Sequence, residues 1–403
     1  MEARDIGVAE SGEVSLDAPE TPRAHAVRCL PIAQRLDAMR ETAPRHWWRN
    51  EVEAAWHDWR PALEWTLGKQ GNILLGQRLV GALETAWWVL PEGAAERWLR
   101  AAFETADDMT PRNVLARLNL ALGRVRLAQN RFKSCDAASQ RALSFARAVS
   151  DEVGIARAEL LSGHSRVVLG EWAQGERLLK AALGAFRRTE ARRSTSRALV
   201  SLALAREHAD DVTGAIAFCT EAVETLKAIE GESGEVDHLS YLAELEFRAG
   251  DAEKALRYVF EALDRHRRLD RRLDMIVDLS NAAAYLIALE RYGDAASKAR
   301  ESLALAIAQN STLWSAFAMQ HLAAIAVQRG KAAASARLLG FVDARLAELG
   351  HRREHTEQQE YERAVAVLGG KLEGAELQRL MTEGRSWRQD RAAAEAAVIS
   401  EPS

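Results

Sequence analysis

Residues 163–182, GHSRVVLGEWAQGERLLKAA, decide the fold, because the chain repeats their pattern of small and apolar side chains every 40 positions. In each copy one residue directly follows a predicted helix break: Phe132, Trp172, Val212, Ala252, Tyr292 and Ala332. Two residues earlier stands a polar or turn-forming residue: Asn130, Gly170, Asp210, Gly250, Glu290 and Gly330. Gly and Asn tolerate the left-handed conformation that ends many helices, so these positions predict turns between helices.

Small residues keep the same register on both sides of the predicted turn. Three positions of each copy show this: nine residues before, three after and ten after the residue that follows the helix break. Seventeen of these eighteen positions are Gly, Ala, Ser or Cys. In the quoted copy they are Gly163, Gly175 and Ala182. Antiparallel helices and the next pair stacked on them approach closely only where side chains are small. We therefore predict an all-α, right-handed solenoid of helix pairs with a 40-residue period and helical caps at both ends.

Proline and tryptophan mark an amino-terminal part that is built differently. Between Pro111 and Pro402 lie 290 residues without proline, which suits a run of helices. Eight of the eleven tryptophans fall between Trp47 and Trp98. We interpret them as filling the joint between a cap and the first repeat, with a ligand-stacking platform as the alternative. The predicted divisions are a disordered tail over 1–24, a Trp-rich helical cap over 25–73, about seven helix pairs over 74–350, and a helical cap and tail over 351–403.

The spacing of small residues by 12 and then 7 positions resembles the tetratricopeptide repeat (TPR). The usual period of that repeat is about 34 residues, so these copies would have longer helices. The resemblance implies a superhelix whose first helices line a concave surface that recognises a protein segment.

Whole segments resemble the carboxy-terminal helical-repeat region of large bacterial signal-transducing ATPases, related to the activator of the maltose regulon and to antibiotic-production regulators. The segments are WRPALEW (59–65), LGQRLVGAL (75–83), AERWLRAA (95–102), ARLLG (336–340), EYERA (360–364) and EGR (383–385). The resemblance implies a non-catalytic sensor or interaction module in signal transduction or transcription regulation. The chain has no Gly-x-x-x-x-Gly-Lys-Ser/Thr for nucleotide binding. Whether it is part of such a regulator or a separate repeat protein stays open.

Charge and cysteine content indicate the compartment. The net charge is −4 and the pI about 6.3, which does not favour nucleic acid or an anionic membrane. The three cysteines, far apart in sequence, predict free thiols rather than disulfides or a zinc cluster: Cys29, Cys135 and Cys219. Residues 1–20 lack the apolar core of a signal peptide, and the most apolar stretch, 72–90, contains Gln77, Arg78 and Glu84. We predict a cytoplasmic protein without a transmembrane helix, metal or cofactor.

His351, Glu354 and His355 form a His-x-x-Glu-His that matches the inverted zinc-peptidase pattern. That chemistry needs both imidazoles on one helix face, a third ligand and a cleft. Because the motif follows Gly350, a predicted helix end, we interpret it as a loop that enters the next helix. A zinc-dependent hydrolase and a nucleic-acid-binding repeat protein are the alternatives to a binding scaffold.

Arginines recur in two ladders with the 40-residue period. Arg117, Arg157 and Arg197 lie near the start of successive first helices, and each is followed nine residues later by another arginine: Arg126, Arg166 and Arg206. By analogy with the TPR stack, the first ladder should point into the concave surface and contact an anionic or acidic partner. The alternative is that these arginines lie on solvated faces and pair with nearby Asp or Glu. The predicted partner-binding residues are Arg117, Arg124, Arg157, His164, Arg197, His208, Glu244 and Arg248. The partner, a protein segment or a small effector, is not identified by the sequence.

Overall fold

The computed structural model describes residues 21–91, 93–231 and 238–399, and in these it contains helices and no strands. Four helices precede the regular repeats: α1 (Pro22–Met39), α2 (Arg45–Thr66), α3 (Ile73–Ala82) and α4 (Ala94–Glu104). The repeats are α5 (Arg112–Ala128), α6 (Phe132–Ala148), α7 (Glu152–Val168), α8 (Trp172–Arg188), α9 (Arg192–His208), α10 (Val212–Glu230), α11 (Leu239–Arg248), α12 (Ala252–Arg268), α13 (Arg272–Ala288), α14 (Tyr292–Ala308), α15 (Thr312–Gln328) and α16 (Ala332–Glu348). Three helices follow: α17 (His355–Gly369), α18 (Gly374–Arg385) and α19 (Gln389–Ile399).

The 40-residue period is the sum of two helices and two turns. Ten of the twelve repeat helices contain 17 residues, and three residues separate each from the next. The middle residue of these turns has positive φ, as in Ser150 (54°), Gly170 (88°) and Glu190 (53°). The following N–H then bonds five residues back, as from Glu171 to the Arg166 carbonyl at 2.8 Å, which satisfies the helix end. A 17-residue helix and its three-residue turn, repeated twice, give the 40-residue period.

The small residues lie where neighbouring helices touch. Gly163 in α7 is the clearest case, because a Cβ added there would lie 2.8 Å from Cγ of Leu179 and 3.0 Å from the Gly175 carbonyl oxygen in α8. The matching residues of the other copies are also buried: Gly123, Ala203, Ala243, Ala283 and Ala323. Consecutive helices pack against each other from α5 to α10 and from α11 to α16. The prediction of an all-α solenoid of helix pairs is confirmed.

The amino-terminal helices form a tryptophan-rich core. Of the predicted disordered tail, residues 1–20 lie outside the described residues. Pro22 begins α1, where a proline fits the first turn, and the Thr21 side chain accepts from the Ala24 N–H at 3.2 Å. Trp48 and Trp59 are buried between these helices, whereas Trp88 keeps 37% of its surface exposed. Helix α1 packs on α2 and α3, and α3 packs on α5, so this core continues into the repeats.

The carboxy-terminal helices cover the other end of the stack. Helix α18 packs along α16, while α17 and α19 contact α15. A Cβ at Gly340 would lie 2.0 Å from the Met381 carbonyl oxygen, and one at Gly384 would lie 1.8 Å from that of Arg337. The backbones of α16 and α18 therefore meet without intervening side chains at these two glycines. Within the described ranges, none of the helices combines the length and the apolar content that crossing a membrane requires.

Candidate functional site

A cavity of about 460 Å³ lies where the amino-terminal helices face the first helices α5, α7 and α9. Five arginines line it: Arg40, Arg45, Arg124, Arg193 and Arg197. Much of the remaining lining is apolar or aromatic: Trp48, Trp88, Phe132, Leu160, Val200 and Leu226. We call this cavity the arginine pocket. Its volume lies in the range of ligand sites, roughly 300–1,000 Å³.

Three of the predicted binding residues line the arginine pocket: Arg124, His164 and Arg197. Arg124 in α5 and His164 in α7 are 40 residues apart, and Arg197 in α9 is the third member of the first ladder. His164 Nδ1 lies 3.0 Å from Ser201 Oγ. Burial, reinforced by the charge of Arg197, lowers the pKa of His164 to about 4. The imidazole is therefore neutral near pH 7, and the positive charge of the pocket comes from arginine.

Sequence reasoning missed Arg40, Arg45 and Arg193 as pocket residues. Arg193, in α9, crosses to the amino-terminal helices, where its guanidinium donates to the carbonyls of Arg40 (2.9 Å) and Ala43 (2.8 Å) and pairs with Glu230 (2.6 Å). The Arg45 guanidinium stacks over the Trp88 ring at 4.6 Å. These contacts join residues up to 153 positions apart, so no local spacing in the sequence indicates them. The tryptophan cluster was the available signal, since Trp48 and Trp88 both line the pocket.

Arg117 and Arg157, the other two members of the first ladder, bind carboxylates of the amino-terminal helices. Both donate to Asp37 Oδ2 at 2.7 Å, and both approach Glu84 Oε2, at 3.4 Å for Arg117 and 3.0 Å for Arg157. Arg124 donates to Glu84 Oε1 through Nε at 3.1 Å and Nη2 at 2.8 Å. We call these five residues the arginine–carboxylate cluster. It shares Arg124 with the arginine pocket and joins the amino-terminal part of the chain to α5 and α7.

The arginine–carboxylate cluster keeps its acids ionised. Burial alone would raise the pKa of Asp37, but Arg157 and Arg117 outweigh it and hold that pKa well below its ordinary value. The pKa of the fully buried Glu84 is lowered in the same way by Arg157, Arg124 and Arg117. Both carboxylates are thus charged and bonded to arginine at neutral pH, so the cluster is a structural joint.

The remaining predicted residues lie outside the arginine pocket. The His208 ring stacks on Trp172, with centroids 5.5 Å apart and planes at 5°. Arg248 forms an ion pair with Glu207. Glu244 accepts hydrogen bonds from Tyr285 Oη at 3.0 Å and Thr356 Oγ1 at 2.5 Å, which ties α11 to α13 and α17. The structure does not bring these three to the pocket that Arg124, His164 and Arg197 share.

The second arginine ladder forms ion pairs that also follow the register. Each arginine bonds a carboxylate 30 residues earlier in the chain: Arg126 with Glu96, Arg166 with Asp136 and Arg206 with Glu176. These pairs connect successive helix pairs on a partly exposed face. They account for the ladder without a ligand.

The residues of the His-x-x-Glu-His motif diverge in space. His351 lies in the turn before α17 with its ring 5.8 Å from that of Phe317, whereas His355 begins α17 and contacts Gln359 at 3.2 Å. Across the part of the chain that the structure describes, no group of three or more His, Cys, Asp or Glu side chains is arranged to hold a metal ion. Cys29, Cys135 and Cys219 are buried free thiols.

No family model and no curated protein matches the chain. Solved structures do resemble it. The apo form of RapI superimposes with a TM-score of 0.57 at 14% identity, covering 87% of this chain and 99% of that one. A Rap protein complexed with competence and sporulation factor gives 0.55 at 12% identity, with 90% and 100% covered. The apo form of the quorum sensor NprR from B. thuringiensis gives 0.52 at 12% identity, with 85% and 97% covered.

At these identities the likeness establishes the fold. The matches cover nearly the whole length of each of the three proteins and most of this chain. The prediction of a TPR-like helical repeat fold is confirmed. The finer resemblance to the maltose-regulon activator group stays a prediction.

Proposed function

We propose that the protein is a non-catalytic TPR-like scaffold that binds a protein segment in the arginine pocket and acts in bacterial signal transduction or transcription regulation. The observation that carries the proposal is the pocket itself, a ligand-sized cavity lined by both arginine and tryptophan where the first helices face the amino-terminal core. Aromatic and arginine side chains are enriched at the sites that dominate binding energy.

The similar structures support the same kind of function. One is a Rap protein bound to competence and sporulation factor, and another is named as a quorum sensor. The first name states a bound factor and the second a sensor. The cavity volume of about 460 Å³ suits one or two anchoring side chains of such a segment, or a small effector. The segment is favoured because the register extends the first-helix face beyond the pocket.

A filling substitution tests the proposal. Ala128 is the last residue of α5, is exposed and lines the pocket, so Ala128→Trp would fill it without disturbing the core. Val168 is the last residue of α7, 40 positions later, equally exposed but not on the pocket wall, so Val168→Trp is the matched control. Random peptides would be selected by phage display on the wild-type protein, and the affinities of the synthetic winners measured for all three proteins.

We expect Ala128→Trp to weaken the selected peptides by roughly tenfold or more, and Val168→Trp to stay within about twofold of wild type. Equal affinity for both variants would place the binding surface elsewhere and refute the proposal.

A further inference from the structure

The described lining of the arginine pocket contains five arginines and no Asp or Glu. Two neighbouring carboxylates bond side-chain or backbone groups of the residues around the pocket. Glu230 pairs with Arg193 and accepts from the Arg45 N–H at 3.1 Å, and Glu41 accepts from the Ser194 N–H at 2.9 Å.

Arg124 has a buried donor group left over. Its Nε and Nη2 bind Glu84, but Nη1 is buried and has no hydrogen-bond partner among the described residues. The whole side chain is only 7% exposed. A buried donor without an acceptor is costly, and such groups in native proteins usually have a partner. Because Arg124 lines the arginine pocket, the missing acceptor can be supplied by a molecule bound there.

Arg40 is a second buried cation of the arginine pocket. It is 6% exposed, its guanidinium lies 5.8 Å from the Trp48 ring, and it forms no ion pair with a described residue. Burial and the neighbouring charges of Arg124 and Arg197 lower the pKa of Arg40 well below its ordinary value. Several arginines crowded together at low exposure repel one another, and an anion among them would relieve that repulsion.

We propose that the arginine pocket contains an oxyanion subsite, in which a carboxylate or phosphate group of the ligand binds Arg40 and Nη1 of Arg124. The tryptophans of the pocket, Trp48 and Trp88, contact an apolar group attached to that anion. This inference rests on the proposed function and specifies the ligand's chemistry: an acidic group carried beside an apolar side chain.

Small probes that differ only in charge test the subsite. 3-Phenylpropionate and its neutral amide, 3-phenylpropionamide, have the same shape, and phenyl phosphate tests the other oxyanion. Affinities would be measured by calorimetry for wild type, Arg40→Met and Arg40→Lys. Arg187→Met is the control of equal charge change, because Arg187 is exposed, pairs with Glu221 and lies outside the pocket.

We expect wild type and Arg187→Met to bind one of the two anions roughly tenfold or more tighter than the amide. The anion accepts charge-assisted hydrogen bonds from arginine, whereas the neutral amide does not. Arg40→Met should lose most of that preference and Arg40→Lys keep part of it. Whichever of carboxylate and phosphate binds better identifies the source of the oxyanion. Thermal unfolding of Arg40→Met should show no loss of stability, because no ion pair is broken.

Three results would each overturn the subsite. Wild type could bind anion and amide equally, or it could show no saturable binding of either anion at millimolar concentration. Arg40→Met could also keep an unchanged preference for the anion. In those cases the contrast between Ala128→Trp and Val168→Trp with selected peptides would still decide the proposed function. If that contrast is also absent, both proposals fail.

Discussion

The two ends of the repeat stack are held to the same backbone by different physical means. At the amino-terminal end, Asp37 and Glu84 bind three arginines of α5 and α7 in the buried arginine–carboxylate cluster. At the carboxy-terminal end, α16 and α18 touch through Gly340 and Gly384, and Leu380 and Trp387 belong to a large apolar cluster with α15 and α16. The amino-terminal joint adds a buried ion cluster to its apolar core, whereas the carboxy-terminal joint depends on close helix contact and apolar packing.

The difference shows how a periodic scaffold acquires a site. The repeats supply equivalent helices at both ends, and the apolar end is closed by matching volumes. The charged end has three arginines for two carboxylates, and Nη1 of Arg124 has no hydrogen-bond partner among the described residues. Arg124 also lines the arginine pocket. We infer that the binding site arises where the joint contains the buried ion cluster, and the following changes test the contrast.

The largest effect should come from Glu84→Gln. Glu84 is fully buried and faces Arg117, Arg124 and Arg157. Removing its charge leaves three arginines beside Asp37 alone. Breaking a buried ion pair by removing one partner costs about 3–5 kcal/mol, so we expect a loss of that size in the free energy of unfolding measured with urea.

Glu96→Gln is the matched control for that experiment. Glu96 also pairs with an arginine, Arg126, but its side chain keeps 36% of its surface exposed. Exposed pairs contribute about 0–1 kcal/mol. Similar losses in the two variants would mean that the charged joint is no more than another surface pair, and the comparison of the two ends would fail.

The carboxy-terminal joint should be broken by a single methyl group. In Gly384→Ala the new Cβ would lie 1.8 Å from the Arg337 carbonyl oxygen, so α18 has to shift away from α16. We expect a loss of about 2–3 kcal/mol in the free energy of unfolding, as for overpacked cores. Gly293→Ala is the control, because nothing lies within 4 Å of the added Cβ. Gly293 is the second residue of α14, so its gain in helix stability should be less than the roughly 0.5–1 kcal/mol of a mid-helix position. A neutral Gly384→Ala would show that the close approach of the helices is not required.

The repeat fold could be predicted from the sequence because its determinants are local. A 17-residue helix, a residue with positive φ and small residues at fixed offsets are all visible within one 40-residue window. The register aligns Arg124 with His164 and, at another position, Arg117, Arg157 and Arg197. Arg124, His164 and Arg197 meet in the arginine pocket, whereas Arg117 and Arg157 bind Asp37.

The rest of the site could not be predicted, because it depends on how the amino-terminal helices lie on the repeats. Asp37 reaches Arg117 across 80 positions and Arg157 across 120, and Arg45 reaches Glu230 across 185. The separations of 80 and 120 are multiples of the 40-residue period and that of 185 is not, but periodicity alone does not show which acidic residue an arginine contacts. Arg40 and Arg193 therefore gave no signal, and a fixed spacing could not reveal which ladder members already had a carboxylate partner.

The two ends should respond to pH in opposite ways. Burial raises the pKa of Glu357 in α17 to about 7, and the pKa of buried His321, which bonds Glu360 at 2.8 Å, is also raised. Between the ordinary carboxyl pKa and about 7 the folded protein holds a proton that the unfolded chain releases, so stability falls as pH rises, and His321 acts in the same direction. Asp37 and Glu84 have lowered pKa values, so their contribution is kept above the ordinary carboxyl range and lost in acid.

Hydrogen exchange of individual segments, corrected for intrinsic rates, checks this contrast. From pH 5 to pH 8 the protection of α17 should fall by about 1–3 kcal/mol, while that of α1 and α5 stays constant. Glu357→Gln should flatten most of the response of α17. A parallel loss of protection at both ends would contradict the assignment of opposite proton linkage.

The smallest effect should come from a second set of ion pairs, which repeats along α8, α10, α12 and α14. Arg187–Glu221, Lys227–Glu261 and Arg267–Glu301 each span 34 residues and recur every 40. We expect Arg187→Met to change the free energy of unfolding by less than about 1 kcal/mol, because both side chains of that pair stay in water. This arginine and those around Glu84 make the same kind of bond and differ in burial. If Arg187→Met costs as much as Glu84→Gln, burial is not what gives the amino-terminal joint its strength.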